Sequence, residues 1–312
     1  MSSERPKVVV TGGAGFIGSH LCAMLAAEHD VHVVDDFRSG NRGNLADVPH
    51  VLHEGSIEDG ALLRTAMDGA TYVFHLAAMV SVPESMAQPV ECVRINAIGT
   101  LGVLEAAAQS GVRKLVLSST AAIYGDEPTL PKREAMPPCP KSPYAVTKLD
   151  GEYYCRMFAE TGRLATASLR YFNVFGPRQN PRSAYAAAVP IFLHKAIAGE
   201  PIVIHGDGGQ TRDFVHVSDI ARANLYVART PEAGGVYNVA NGGSLSILEL
   251  ARRIVAITGS TSEILHGPER AGDIRHSSAD PSALAALGFR CDPDFDRLLA
   301  ETAGALRSAK RA

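Results

Sequence analysis

No run of 18 uncharged apolar residues occurs in this sequence, so it offers no candidate membrane-spanning helix. The opening MSSERPKVVV lacks the apolar core of a secretory signal, and a short polar leader passes straight into a strand-like run. Cysteine is scarce and scattered. Cys22, Cys92, Cys139, Cys155 and Cys291 show no CxxC spacing, which argues against disulfides and a zinc site and fits a reducing cytoplasm. Positive charge is not in excess: a formal net charge of −3 gives no field for nucleic acid and no polybasic run for a membrane surface. There is no internal repeat and no low-complexity tract. With 46% hydrophobic and 20% charged residues the chain is expected to be globular, cytoplasmic and partnered by small molecules.

What is present is alternation. KVVVT (7–11), VHVVD (31–35), HVLHEG (50–55), TYVFHLAA (71–78), RKLVLSS (113–119) and LATASLR (164–170) have the composition of strands. Most are apolar nearly throughout, as in a parallel sheet covered on both faces. FIGSHLCAMLAAEH and NAIGTLGVLEAAAQSG between them have helical spacing, with Gly111 as a C-cap. The pattern predicts an α/β fold, a doubly wound parallel sheet. It breaks near residue 172, where RYFNVFGPRQNP leads to a helix over about 185–199, PIVIHG, DGGQTRDF and further short elements. These 312 residues suffice for a sheet domain over 1–171, with returning segments near 213–240, and a smaller α/β lobe over 172–212 and 241–312.

VVVTGGAGFIGSH places Gly12, Gly15 and Gly18 between a strand and a helix. In that setting one glycine makes the tight turn, one admits a pyrophosphate to the backbone, and one lets helix and strand pack closely. The helix N-terminus then receives the phosphates. Asp35, 17 residues beyond Gly18, stands where a carboxylate accepts from an adenosine ribose and repels a 2′-phosphate. NAD is therefore expected over NADP, with Arg38 softening the preference. Further on, KSPYAVTK sets Tyr144 and Lys148 at i and i+4 behind Ser142 as N-cap and Pro143 at the first helical position. A phenol titrating near ~10 is a poor base, and a neighbouring ammonium is expected to bring it toward the working range. His50 and His53 are three apart in an expected strand and so face opposite sides; no metal is assigned.

TGGAGFIG, the YxxxK pair, the Ser118-Ser119-Thr120 strand end and RYFNVFGP together resemble the extended short-chain dehydrogenase/reductases, over nearly the whole chain. More narrowly, the sequence resembles the nucleotide-sugar epimerases of the UDP-galactose 4-epimerase type. That resemblance implies a Rossmann-type fold with a substrate-binding lobe, a bound NAD and a UDP-sugar substrate. It implies Tyr144 as general base, Lys148 on the nicotinamide ribose and Thr120 on the sugar 4-hydroxyl. Around the cofactor it implies Phe16, Ile17, Asp36, Arg38, Ser39, Gly40, Ile57, Leu76, Ala77, Ala78, Asn96, Ser118 and Phe172. Ser56 stands where the family usually has an aspartate for the adenine, so that contact is expected to be looser. For the substrate it implies Ser81, Asn173, Ala188, Val189, Val203, His205, Arg212, Arg270, Asp273 and Ser277. A pyrophosphate in any case favours bidentate guanidinium donors. The family is often dimeric through two helices of the sheet domain, here those near 86–110 and 142–161.

The resemblance leaves several chemistries open, all starting from a 4-keto sugar. Dehydratases of the family carry an acid and a base, typically Asp-Glu, directly after the threonine, and decarboxylases usually carry a glutamate there. This sequence has Ala121 and Ala122. What remains is 4-epimerisation of UDP-glucose and UDP-galactose. Ser277 matches a position where a small residue leaves room for a 2-acetamido group, which adds UDP-GlcNAc and UDP-GalNAc; an ordinary loop serine is the competing reading. The alternatives are a UDP-glucuronate 4-epimerase, a dTDP-sugar epimerase, or a non-catalytic NAD-sensing regulator.

Overall fold

A computed structural model of the protein describes residues 5–180, 187–269 and 275–311. Six parallel strands build the main sheet: β1 (Lys7–Thr11), β2 (Asp30–Asp35), β3 (Val51–Glu54), β4 (Tyr72–His75), β5 (Lys114–Thr120) and β6 (Ala165–Tyr171). With the strand Gly235–Val239 at one edge, the order is Gly235–Val239, β6, β5, β4, β1, β2, β3. Chain order therefore runs outward in both directions from between β1 and β4, the switch point at which doubly wound sheets bind ligands. The strands are apolar on both sides because both faces are covered: Val8, Val9 and Val10 are all fully buried.

The helices of this unit are α1 (Phe16–Leu25), α2 (Gly60–Met67), α3 (Val82–Ala87), α4 (Pro89–Val93), α5 (Gly99–Gln109) and α6 (Pro143–Glu160). One face of the sheet (Val9, Val34, Val73, Leu115, Leu117) packs against Leu63 and Met67 of α2, Val103 and Leu104 of α5, and Cys155 and Phe158 of α6. The helix expected near 86–110 is not continuous. Pro89 has no N–H and keeps Gln88 out of helical backbone (φ −131°, ψ 60°), so α3 stops there and α4 begins afresh. A π turn, Arg94–Ile98, then joins α4 to α5 and carries Asn96. The strand expected over 71–78 ends at His75, so HLAA leaves the sheet at its second residue.

Two compact units divide the chain. The first holds Met1–Glu127, Glu134–Tyr171 and Ile220–Asn238; the second holds Pro128–Arg133, Phe172–Asp219 and Val239–Ala312. The returning segment is thus Ile220–Asn238, and Pro128–Arg133 joins the second unit by pairing Lys132 with Ala279. In the second unit, parallel strands Ile202–His205 and Ile264–Gly267 and the helices Ala188–Ala198, Ile247–Thr258 and Phe295–Arg311 surround a core of Phe175, Phe192, Leu193, Ile204, Leu250 and Leu299. No helix among the described residues is long and apolar enough to cross a membrane.

Candidate active site

The glycine loop between β1 and α1 divides its labour as the spacing predicts. Gly12 has φ +71°, and a Cβ there would lie 2.6 Å from the Ala77 backbone nitrogen, so only glycine admits the chain leaving β4. At Gly18 a Cβ would lie 2.1 Å from the Gly12 carbonyl oxygen, which holds α1 tight against the loop. Gly15 meets only that carbonyl, at 3.2 Å, and caps α1 without any side-chain acceptor. The first turn, opened by Phe16 and Ile17, therefore has no side chain capping its backbone, which suits an incoming pyrophosphate. Gly18→Ala is expected to force that backbone apart, destabilising the fold by about 1–3 kcal/mol and emptying the cofactor site. A thermal melt and the NAD content of the purified variant check both effects.

Asp35 ends β2 buried, with Oδ2 accepting from the Ala14 N–H at 2.8 Å and Oδ1 from the Phe37 N–H at 2.8 Å. Burial raises its carboxyl above the usual range, and the two N–H donors oppose the rise. The loop that follows is laid against it: a Cβ on Gly40 would lie 2.9 Å from Asp35 Oδ1, and Asp36 Oδ1 accepts from the Arg38 N–H at 3.0 Å. Ser39 is exposed between them. The Arg38 guanidinium reaches Glu84 at 2.9 Å and Glu91 at 3.2 Å, so its charge is already answered by two carboxylates. Ser56 Oγ donates to Glu58 Oε2 at 3.3 Å, a purely local contact, and Ile57 is buried against Gly99.

Beyond β4, Leu76, Ala77 and Ala78 are half-buried, and Asn96 fastens the loop they form. Asn96 Oδ1 accepts from the Met79 N–H at 2.7 Å, while Nδ2 donates to the Met79 carbonyl at 3.0 Å and to Thr147 Oγ1 at 3.1 Å. A π turn at this point agrees with the tendency of such turns to sit at functional sites. His75 bridges Thr11 Oγ1 (2.7 Å) and Thr100 Oγ1 (2.8 Å) beneath the loop, and burial drives its pKa down to about 3. Ser81 caps α3 by accepting from the Glu84 N–H.

Tyr144 and Lys148 emerge from the first two turns of α6, whose N-terminus is capped by Ser142 Oγ accepting from the Ala145 N–H at 3.2 Å. The Tyr144 ring is half-buried against Met79, Cys92 and Ile95, and its backbone N–H donates to Ser85 Oγ at 3.2 Å. Burial pushes the phenol above its ordinary value. The Thr120 hydroxyl, at the end of β5, works against that rise. Lys148 is itself buried, which lowers its pKa to about 8, and its Nζ donates to the Ser118 carbonyl at 2.9 Å. After Thr120, whose Oγ1 accepts from the Ala122 N–H at 3.1 Å, the chain enters a 3₁₀ turn, Ala121–Tyr124, that opens on two alanines and contains no carboxylate.

Several of the residues expected at the substrate share a short strand pair in the second unit. Thr211–Arg212 runs parallel to His276–Ser277, with Ser277 directly opposite Arg212. Arg212 is half-buried. The buried Asp213 secures the surroundings: Oδ1 accepts from the Asn241 N–H at 3.0 Å and Oδ2 from the Gly242 N–H at 2.9 Å, while burial raises its pKa to about 6. Asn173 donates to the Asp213 carbonyl at 2.9 Å, and Phe172 is buried beside it, its N–H bonded to Val239. Val203 and His205 point away from the core, in alternation with buried Ile202 and Ile204. The Val189 side chain lies in the core with Phe192, so it is the backbone of Ala188 and Val189, at the start of a helix, that remains for a ligand contact. Arg270 and Asp273 lie outside the described residues. Among the described residues no group of three or more His, Cys, Asp or Glu could hold a metal.

The sequence profile of the NAD dependent epimerase/dehydratase family matches residues 8–240. The chain belongs to that family. It is an NAD-dependent isomerase of the epimerase type, and the glycine loop, Asp35 and the uncapped start of α1 fit its cofactor. It is 37% identical to the UDP-glucose 4-epimerase of Mycolicibacterium smegmatis over 292 residues, covering 91% of this chain and 93% of that one. A solved UDP-N-acetylglucosamine 4-epimerase from Methanobrevibacter ruminantium, in complex with UDP-N-acetylmuramic acid, superposes with a TM-score of 0.94. Its identity is 39%, covering 98% of this chain and 99% of that one. At 34%, over 85% of this chain and 84% of its counterpart, the similarity extends to a UDP-N-acetyl-alpha-D-glucosaminuronate decarboxylase of Bacillus cytotoxicus.

Sequence spacing did not reveal several members of this epimerase-family site. Ser85, Cys92 and Thr147 surround Tyr144 and Asn96 through three separate helices. Glu152, one turn beyond Lys148, was findable from its i+4 spacing alone, but its partners were not.

Proposed function

We propose that the protein is a cytoplasmic 4-epimerase of UDP-hexoses. The carrying observation is Thr120 ending β5 directly before Ala121 and Ala122, beside the first turns of α6 that carry Tyr144 and Lys148. Tyr144 as phenolate takes the proton of the sugar 4-hydroxyl, and Thr120 holds the same oxygen. NAD, when bound, accepts the C4 hydride and returns it. The Gly12–Gly18 loop and Asp35 would hold its pyrophosphate and adenosine ribose, and Lys148 would hold its second ribose. Lys148 is a suitable donor because burial between α6 and β5 has already stripped its water. Arg212 supplies a guanidinium for the UDP diphosphate. With Ala121 and Ala122 where a carboxylate pair would stand directly after Thr120, the chain offers a 4-keto sugar no carboxylate there for elimination or decarboxylation, and Tyr144 would give the proton back to the 4-oxygen.

Incubation with single nucleotide sugars and no added NAD, with products resolved chromatographically, tests this. UDP-glucose should yield UDP-galactose. A product lacking carboxylate or water, or conversion confined to UDP-glucuronate or dTDP-sugars, would replace the proposal. No conversion of any of them by NAD-loaded protein would favour a sensor.

Ser277, beside Arg212, is small enough to leave space for a 2-acetamido group. Ser277→Tyr is expected to lower kcat/KM for UDP-N-acetylglucosamine about 10- to 200-fold relative to UDP-glucose. Equal effects on the two sugars would remove Ser277 from sugar selection.

The same reading includes a homodimer. Val90 (80% exposed) and Ile98 (61%), from α4 and the π turn, and Val146, Tyr153 and Met157 on α6 form large exposed apolar surface on neighbouring helices. Val90→Glu is expected to move the protein from dimer to monomer in sedimentation; an unchanged sedimentation coefficient would place the interface elsewhere.

A further inference from the structure

Two consecutive residues of β5 are fastened to α6 immediately before the strand delivers Thr120. The Lys148 ammonium donates to the Ser118 carbonyl at 2.9 Å, and the Ser119 hydroxyl donates to Glu152 Oε1 at 2.5 Å. Tyr144, Lys148 and Glu152 follow one another at i, i+4 and i+8, so they line one face of the helix. Glu152 is enclosed, at 3% exposure, and cannot reach a substrate. It is held in place by Arg170 of β6, whose Nε lies 2.9 Å from Oε1 and whose Nη2 lies 2.7 Å from Oε2. Arg170 in turn stacks over the Tyr124 ring at 4.8 Å, and the Tyr124 hydroxyl donates to Asn238 at 2.7 Å. A bidentate guanidinium leaves the carboxylate no freedom to swing, so the strand end hangs from a fixed point.

We infer that Ser119, Glu152 and Arg170 are positioning residues that set Thr120 against Tyr144, with Ser119 as the link to the strand. This rests on the reading of Thr120 and Tyr144 as the groups that handle the sugar 4-oxygen. Polar interactions weaken steeply with distance and angle, so a strand end free to slide weakens the influence by which the Thr120 hydroxyl favours the phenolate. In that reading Lys148 is committed to the cofactor ribose, which leaves Ser119–Glu152 as the tie with no other duty.

Ser119→Ala in the NAD-loaded enzyme isolates the link, because Glu152 Oε1 keeps its Arg170 donor. The expected result is an unchanged NAD content, a KM within about twofold of wild type and a kcat about tenfold lower. The acid limb of the kcat profile should move to higher pH, since the phenol loses the influence that lowers it, and Ser119→Thr should restore both. In a Thr120→Ala background, Ser119→Ala should have no further effect, because the link acts through Thr120. A kcat within about twofold of wild type, a fall equally large without Thr120, or a fall with an unmoved pH profile would each overturn the inference. Full kcat in Thr120→Ala alone would instead overturn the catalytic reading beneath it.

Discussion

Tyr144→Phe is expected to fold, to keep its NAD and to turn over about 10³-fold more slowly than the wild type. The substitution removes one oxygen and leaves the ring against Met79, Cys92 and Ile95, so packing has little reason to change. What disappears is the base for the 4-hydroxyl. Product formation from UDP-galactose, with NAD quantified after denaturation, separates a catalytic loss from a lost cofactor. More than about a tenth of wild-type turnover would exclude the phenol as the base, because general-base removal falls well outside that range. The pH dependence carries the same sign. Activity needs the phenolate, so kcat should rise with pH through the Tyr144 pKa. Burial raises that value in the isolated chain. A positively charged nicotinamide ring and the Lys148 ammonium favour the phenolate, so the limb should lie below the value of the cofactor-free protein.

Arg170→Met should strongly destabilise the sheet domain. It removes one half of an ion pair whose members are 5% and 3% exposed, and leaves the Glu152 charge buried with a single neutral donor. Breaking such a pair typically destabilises by about 3–5 kcal/mol, or a melting temperature lower by about 10 °C. Replacing both partners, Arg170→Met with Glu152→Met, should recover most of that loss, since no uncompensated charge remains. Melting curves of the two singles and the double complete the cycle. If the double melts no higher than Arg170→Met alone, packing around the pair, and not its charge, is what stabilises the strand end.

The parts of the site visible in the sequence are those whose partners are close along the chain. The three glycines, Asp35 and the Tyr144–Lys148 pair each depend on a turn, a strand end or one helix face, and each stands where its spacing put it. The positioning groups could not be found that way. Ser119 meets Glu152 across 33 residues, Arg170 meets Glu152 across 18, and His75 meets Thr100 across 25. Those meetings depend on which strands become neighbours, and no local pattern encodes that. The electrostatics of Tyr144 divide the same way: an ammonium four residues away is visible in the sequence, whereas the burial that raises the phenol is not. Pro89 divides the helix expected near 86–110 by the local rule that a proline ends one. Val189 shows the opposite limit: only tertiary packing, here with Phe192 and Leu193, decides which way an apolar side chain that opens a helix turns.

His75 has a consequence for the acid limit of this fold. Wedged between Thr11 and Thr100, its imidazole refuses a proton until about pH 3, whereas an unfolded chain accepts one near the ordinary value of ~6.5. Through that window each unit of acidification favours the unfolded chain by about 1.4 kcal/mol from this one ring. Above it the ring is silent: the wedge between Thr11 of β1 and Thr100 of α5 carries no imidazole charge at neutral pH.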